Sequence, residues 1–190
     1  MDAPRAGLNA LIAQCRKLEA ALPQQDGPAM SAAMHRFVAE MDARRAPPGM
    51  WSPLVLAVLV MTGGLGVGIG VLSLLLRAAG PALAAFALVL VCAVTALALA
   101  IGVVAFMGGH AFGLVVLKRL ALGLIAIGFL GVIAWTQGDV RAVGPVVALL
   151  AGLGAWLVLN SNGFYVFAGY QMARRYGAWG VRGLWGRVGS

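Results

Sequence analysis

Four long apolar stretches constrain the fold of this chain more than any other feature. A helix rises about 1.5 Å per residue, so roughly 20 apolar residues cross a hydrocarbon core of about 30 Å. The chain is 62% hydrophobic and 11% charged, which is far from the composition of a soluble domain. The sequence therefore predicts an all-α, polytopic membrane protein whose four transmembrane helices form a bundle. The predicted spans are residues 53–76, 81–107, 113–135 and 145–167.

The positions of Lys and Arg predict the orientation of these helices. Twelve of the 14 basic residues fall on the side of the N-terminus, and only Arg77 and Arg141 fall on the other. Because cytoplasmic loops are enriched in Lys and Arg, we expect both termini in the cytoplasm. The Ala-, Gly- and Arg-rich composition favours a bacterial inner membrane. The net charge of +8 then indicates topology and affinity for anionic lipid headgroups, and we expect no nucleic acid partner.

Three parts of the chain follow from this topology. Residues 1–50 form a cytoplasmic segment, 51–170 the transmembrane domain and 171–190 a basic aromatic tail. Trp and Arg alternate with apolar residues in the tail, which is typical of a helix lying in the membrane interface.

Two short amphipathic helices are predicted in the N-terminal segment, separated by Pro23 and a polar linker. They either lie on their own membrane domain or bind a partner protein, for which a Met-rich surface is well suited. Their apolar side chains are the candidate docking face. Its residues are Leu8, Leu11, Leu18, Met34, Phe37 and Met41.

Glycines alternate along the first membrane helix. At about 100° per residue, Gly64 and Gly68 lie on one side of the helix, and Gly66 and Gly70 lie nearly opposite. Close backbone approach at small residues is a main source of helix packing in lipid, so two grooves predict two close neighbours. We expect these glycines to form a helix-packing and homo-oligomer interface.

The same run locally resembles the alternating-glycine helix of the proteolipid ring subunit of rotary ATPases, in which glycines let neighbouring helices pack closely. The resemblance covers the seven residues from Gly64 to Gly70. The chain differs from that family in its four helices and in having no intramembrane carboxylate. The resemblance implies close helix packing alone.

Polar residues are predicted to form a layer in the inner leaflet. Lys118 and Arg119 enter the third helix, and counting about 1.5 Å per residue places Asn160, Asn162 and Thr95 near the same depth. The basic pair either extends its side chains to the surface or binds an anionic headgroup or lines a wet vestibule. The amides and Thr95 either join helices by hydrogen bonds or contribute to that site.

Catalytic and metal-binding chemistry finds little support in this sequence. The chain has six Asp and Glu residues, none of them in a predicted membrane helix, and neither His35 nor His110 has metal-ligating neighbours at suitable spacing. We expect no catalytic, cofactor or metal site. Cys15 and Cys92 are not predicted to form a disulfide, because one is cytoplasmic and the other lies within a membrane helix.

Two functions remain open. The first is a non-enzymatic membrane scaffold or accessory subunit that binds a partner through its N-terminal helices. An immunity protein or a membrane component of a multi-protein system would be an example. The alternative is an oligomeric pore, including a membrane-disrupting defence effector or a holin-like protein. A pore needs a continuous polar stripe, and the outer-leaflet parts of the four helices are almost wholly apolar, which favours the scaffold.

Overall fold

The computed structural model describes residues 51–138, 142–169 and 171, together with Asn9, Ile12, Ala13 and Arg16 of the N-terminal segment, all four of them helical. No strand occurs in this described part of the chain. Its helices are α1 (Trp51–Ala78), α2 (Pro81–Met107), α3 (Ala111–Thr136), α4 (Val143–Leu159) and α5 (Asn162–Gly169).

Three helices, α1 to α3, are long and apolar enough to cross a membrane. A fourth crossing results if α4 and α5, which are bent by 57° relative to each other, count as one span. This arrangement fits a multi-pass membrane protein.

Tight turns join the first three helices. Gly80, with φ 89°, ends the first turn, and Pro81 then opens α2 at a position where a missing N–H costs nothing. Gly109, with φ 71°, lies in the turn between α2 and α3. Because both turns are short, consecutive helices run antiparallel and pack side by side.

Helix α1 lies at the centre of the bundle and contacts α2, α3 and α4. Its antiparallel register against α4 is set where Gly66 faces Ala148 and Gly63 faces Ala151. Beyond the end of α4, Gly163 of α5 faces Ser52 near the start of α1. We call the end where α1 begins the inner end and the opposite one the outer end, following the predicted orientation.

The fourth predicted span is not continuous. Residues 145–167 were expected to form one helix, but α4 ends at Leu159 and α5 begins at Asn162. The Ser161 hydroxyl donates to the Val158 carbonyl (2.7 Å) and accepts from the Phe164 N–H (3.2 Å). A serine that accepts from the third residue of a helix is an N-cap, so Ser161 starts α5 in a new direction.

Candidate functional site

The first glycine groove of α1 is filled by α2. A methyl group added at Gly64 would lie 2.6 Å from Cγ2 of Thr95, and one added at Gly68 would lie 2.5 Å from Cδ1 of Leu88. Side chains of α2 therefore occupy the space that a larger residue on this side of α1 would need.

The second groove is filled by α4, and there the contact is with backbone. A methyl group at Gly66 would lie 2.7 Å from the Ala148 nitrogen and 2.8 Å from the Gly144 carbonyl oxygen, whereas one at Gly70 would meet Pro145 at 3.7 Å. Both grooves thus serve contacts within one chain. Self-association remains a prediction, and it must use surfaces other than these grooves.

The predicted polar layer is spread along the bundle axis. Thr95 faces Gly64, whereas Gly163, next to Asn162, faces Ser52. Twelve residues of α1 separate these two levels, or about 18 Å of helical rise. Thr95 therefore lies deep in the bundle while Asn162 lies at its inner end, so the structure does not bring these two residues together.

The hydrogen bonds of Thr95 and Asn160 are local. The Thr95 hydroxyl donates to the Val91 carbonyl at 2.8 Å, and the Asn160 amide donates to the Trp156 carbonyl at 2.9 Å. Both bonds return to a carbonyl four residues earlier, which satisfies the polar group without linking two helices. The side chains of Asn160 and Asn162 are exposed.

Lys118 contacts the N-terminal segment. Its Nζ donates to Oδ1 of Asn9 at 2.6 Å, across 109 residues of sequence. Lys118 is half-buried, and the neighbouring Arg119 is exposed. The sequence contains no Asp or Glu in residues 51–138 or 142–169, so the ammonium group is paired here with a neutral amide oxygen.

An aromatic cluster closes the inner end of the bundle. Phe106, at the end of α2, stacks on Phe164 of α5 with ring centroids 5.7 Å apart, and Phe167 lies against it at the same distance. All three rings are buried, as are Leu114 and Leu117 of α3. The bend after α4 turns α5 so that its two Phe residues reach this cluster.

Ile12 belongs to the same buried core although it lies in the N-terminal segment. Its side chain is 7% exposed, and it is grouped with the aromatic cluster and with α3. Full burial of such a side chain stabilises by about 1.5–3 kcal/mol. Asn9 and Ile12, two helical residues three positions apart, are thus in contact with the rest of the described structure.

Sequence reasoning missed Ile12 because it follows Leu11, which was assigned to the apolar stripe. A usable signal exists, since Ile12 is four residues after Leu8 and three before Cys15, the spacing of one helical face. The predicted docking face itself lies outside the described residues. It comprises Leu8, Leu11, Leu18, Met34, Phe37 and Met41.

The interior of the bundle is apolar wherever the structure describes it. No polar or charged side chain is buried in that part of the chain. In the same part, no three His, Cys, Asp or Glu residues lie close enough together to hold a metal ion. No protein-family model, no curated protein and no solved structure matches the chain significantly.

Proposed function

We propose that this protein is a non-enzymatic scaffold or accessory subunit of the bacterial inner membrane that binds or anchors a partner protein through its cytoplasmic N-terminal helices. The observation that carries the proposal is the closed, apolar interior of the bundle. Glycine contacts bring α1 against its neighbours, and Phe106, Phe164 and Phe167 fill the inner end. A bundle filled in this way supports anchoring better than conduction.

A pore built from several copies would need polar residues on an outer helix face. Helix α2 has the least buried surface of the three long helices, so it offers the largest face for such contacts. Its exposed large side chains are apolar along the whole helix, from Leu83 through Leu97 to Val104. An apolar face suits lipid or another apolar helix, and water does not wet it, so it favours the scaffold over the pore.

The N-terminal segment supports the proposed mode of binding. Because Asn9 contacts Lys118 and Ile12 is buried at the inner end, a partner bound to this segment would be held against the membrane domain. Such a placement is what an anchoring subunit requires.

Purification of the full chain in mild detergent, with mass measurement of every co-purifying chain, tests this proposal. We expect a defined partner that is lost in Phe37→Glu, which places a charge on the predicted docking face, and retained in Phe112→Glu, which changes a ring already exposed at the inner end. The purified protein should not make vesicles permeable to small ions. Ion flux without any co-purifying chain would instead support the pore.

A further inference from the structure

The bond between Lys118 and Asn9 and the burial of Ile12 act on the same helix. Asn9 and Ile12 are three residues apart in a helical segment and therefore lie on one face. Asn9 accepts from Lys118 at 2.6 Å while Ile12 is buried among the residues that close the inner end. We call this pair of contacts the N-terminal latch. Loss of either contact weakens the attachment of the helix to the bundle.

The depth of Lys118 and the charge of its partner make the latch sensitive to the lipid headgroups. Lys118 lies seven residues after the start of α3 at Ala111, or roughly 10 Å along the helix axis. A lysine at such a depth extends its flexible side chain toward the headgroup region. There the ammonium group has a neutral partner, Asn9, and residues 51–138 and 142–169 contain no carboxylate side chain.

We propose that the headgroup phosphate of an anionic phospholipid competes with Asn9 for Lys118, so that the latch opens as the anionic lipid content of the membrane rises. The headgroup of an anionic phospholipid has a net negative charge, which attracts the ammonium group in addition to accepting its hydrogen bond. A neutral amide oxygen has no such charge, and in phosphatidylcholine the choline cation balances the phosphate. Arg119 is exposed beside Lys118 and supplies further donors to the same headgroup.

The consequence is control over the inner end of the bundle. With the latch closed, Ile12 is buried in the same apolar core as the aromatic cluster. With the latch open, Ile12 and the part of that core that it covers become available together. This inference does not rest on the identity of any partner, and it would stand if the scaffold proposal failed.

Distance measurement between spin labels in the full chain tests the proposal. The labels are placed at two exposed positions, Ala13→Cys in the N-terminal segment and Met107→Cys at the end of α2, with Cys15→Ser and Cys92→Ala removing the native thiols. In phosphatidylcholine vesicles we expect a dominant population at a short distance and a minor one at a longer distance. Adding phosphatidylglycerol should raise the ratio of the long-distance to the short-distance population about fivefold, the size of a weak interfacial ion pair.

Two variants separate Lys118 from general surface charge. Lys118→Gln keeps a donor for Asn9 but removes the charge, so its distances should not respond to phosphatidylglycerol. Arg16→Gln removes another exposed cation, from the N-terminal helix itself, and should respond as the unaltered protein does. An equal response in Lys118→Gln, or no response in the unaltered protein, would overturn the proposal.

Further arms identify the source of the anion. Inorganic phosphate added to phosphatidylcholine vesicles should have little effect, because Lys118 lies at headgroup depth. Opening by inorganic phosphate alone would overturn the assignment to lipid and leave a soluble anion as the competitor. Sodium chloride should also have little effect, because salt only weakly screens a hydrogen bond between the ammonium group and a neutral amide. Equal opening in chloride would overturn the proposal.

Discussion

Gly66 and Gly70 lie four residues apart on one side of α1, but they differ in how much space there is for a side chain. A methyl group at Gly66 would collide with the backbone of α4, whereas at Gly70 it would meet only the Pro145 ring at an ordinary contact distance. Backbone atoms cannot rotate away as a side chain can. A side chain at Gly66 can therefore be accommodated only if α1 or α4 shifts as a whole.

We predict that Gly66→Ala destabilises the folded protein by roughly 1–3 kcal/mol, as overpacking of a tight core does. Gly70→Ala is the matched control and should leave stability close to that of the unaltered chain, because its nearest contact is 3.7 Å away. Thermal unfolding in one detergent, followed by circular dichroism, measures both. Equal stability of the two variants would show that the α1–α4 contact is looser than the structure has it.

Single residues differ in how well their packing can be predicted from the sequence. The four glycines from Gly64 to Gly70 predicted two close neighbours from angular position alone, and the structure places α2 and α4 there. Which chain supplies the neighbour is not encoded in that angle. Ile12 was overlooked because burial between distant segments depends on the tertiary arrangement, which a local pattern does not contain.

At the level of whole elements, the boundaries of α2 were predicted correctly from the sequence, whereas the break after α4 was not. The predicted span 81–107 coincides with α2, because Gly-Pro at one end and Gly-Gly at the other punctuate it. The break at Asn160 and Ser161 was missed. Apolar residues continue on both sides of it, and the polar residues Asn160 and Asn162 were assigned to a polar layer although Asn, Ser and Gly together also indicate a turn. The structure shows a bend of 57° there.

Ser161→Ala should weaken the start of α5 by about 1 kcal/mol, the usual cost of losing an N-cap. Ser161→Thr keeps a capping hydroxyl and should retain most of that stability. Since α5 carries Phe164 and Phe167 into the aromatic cluster, hydrogen exchange of the α5 amides is the sensitive measurement. Equal exchange in the Ala and Thr variants would mean that packing alone positions α5.

For the whole molecule, orientation is the prediction that rests most directly on charge. Reporter fusions at residue 50, at Gly109 and at the C-terminus should report the cytoplasm, and fusions at Gly80 and Gly138 should report the opposite side. The structure describes turns at Gly80, Gly109 and Gly138. A C-terminal fusion that reports the opposite side would mean that α4 and α5 together do not complete a fourth crossing.

The unequal lengths of α1 and α4 have a consequence for the surrounding bilayer. Helix α1 has 28 residues and α4 has 17, so their axial lengths are about 42 and 26 Å. Helix α4 alone is therefore shorter than a hydrocarbon core of about 30 Å, so either the lipid beside it thins or α5 completes the crossing.

Such hydrophobic mismatch costs fractions of a kcal/mol per Å, which is enough to bias where a protein resides. We predict that the protein unfolds at a higher temperature in short-chain phosphatidylcholine vesicles than in long-chain ones of the same headgroup. An optimum in long-chain lipid would show that α1 sets the preferred thickness. If α4 sets the preferred thickness, the bilayer thins around the protein. The protein should then accumulate in regions where the bilayer is already thin.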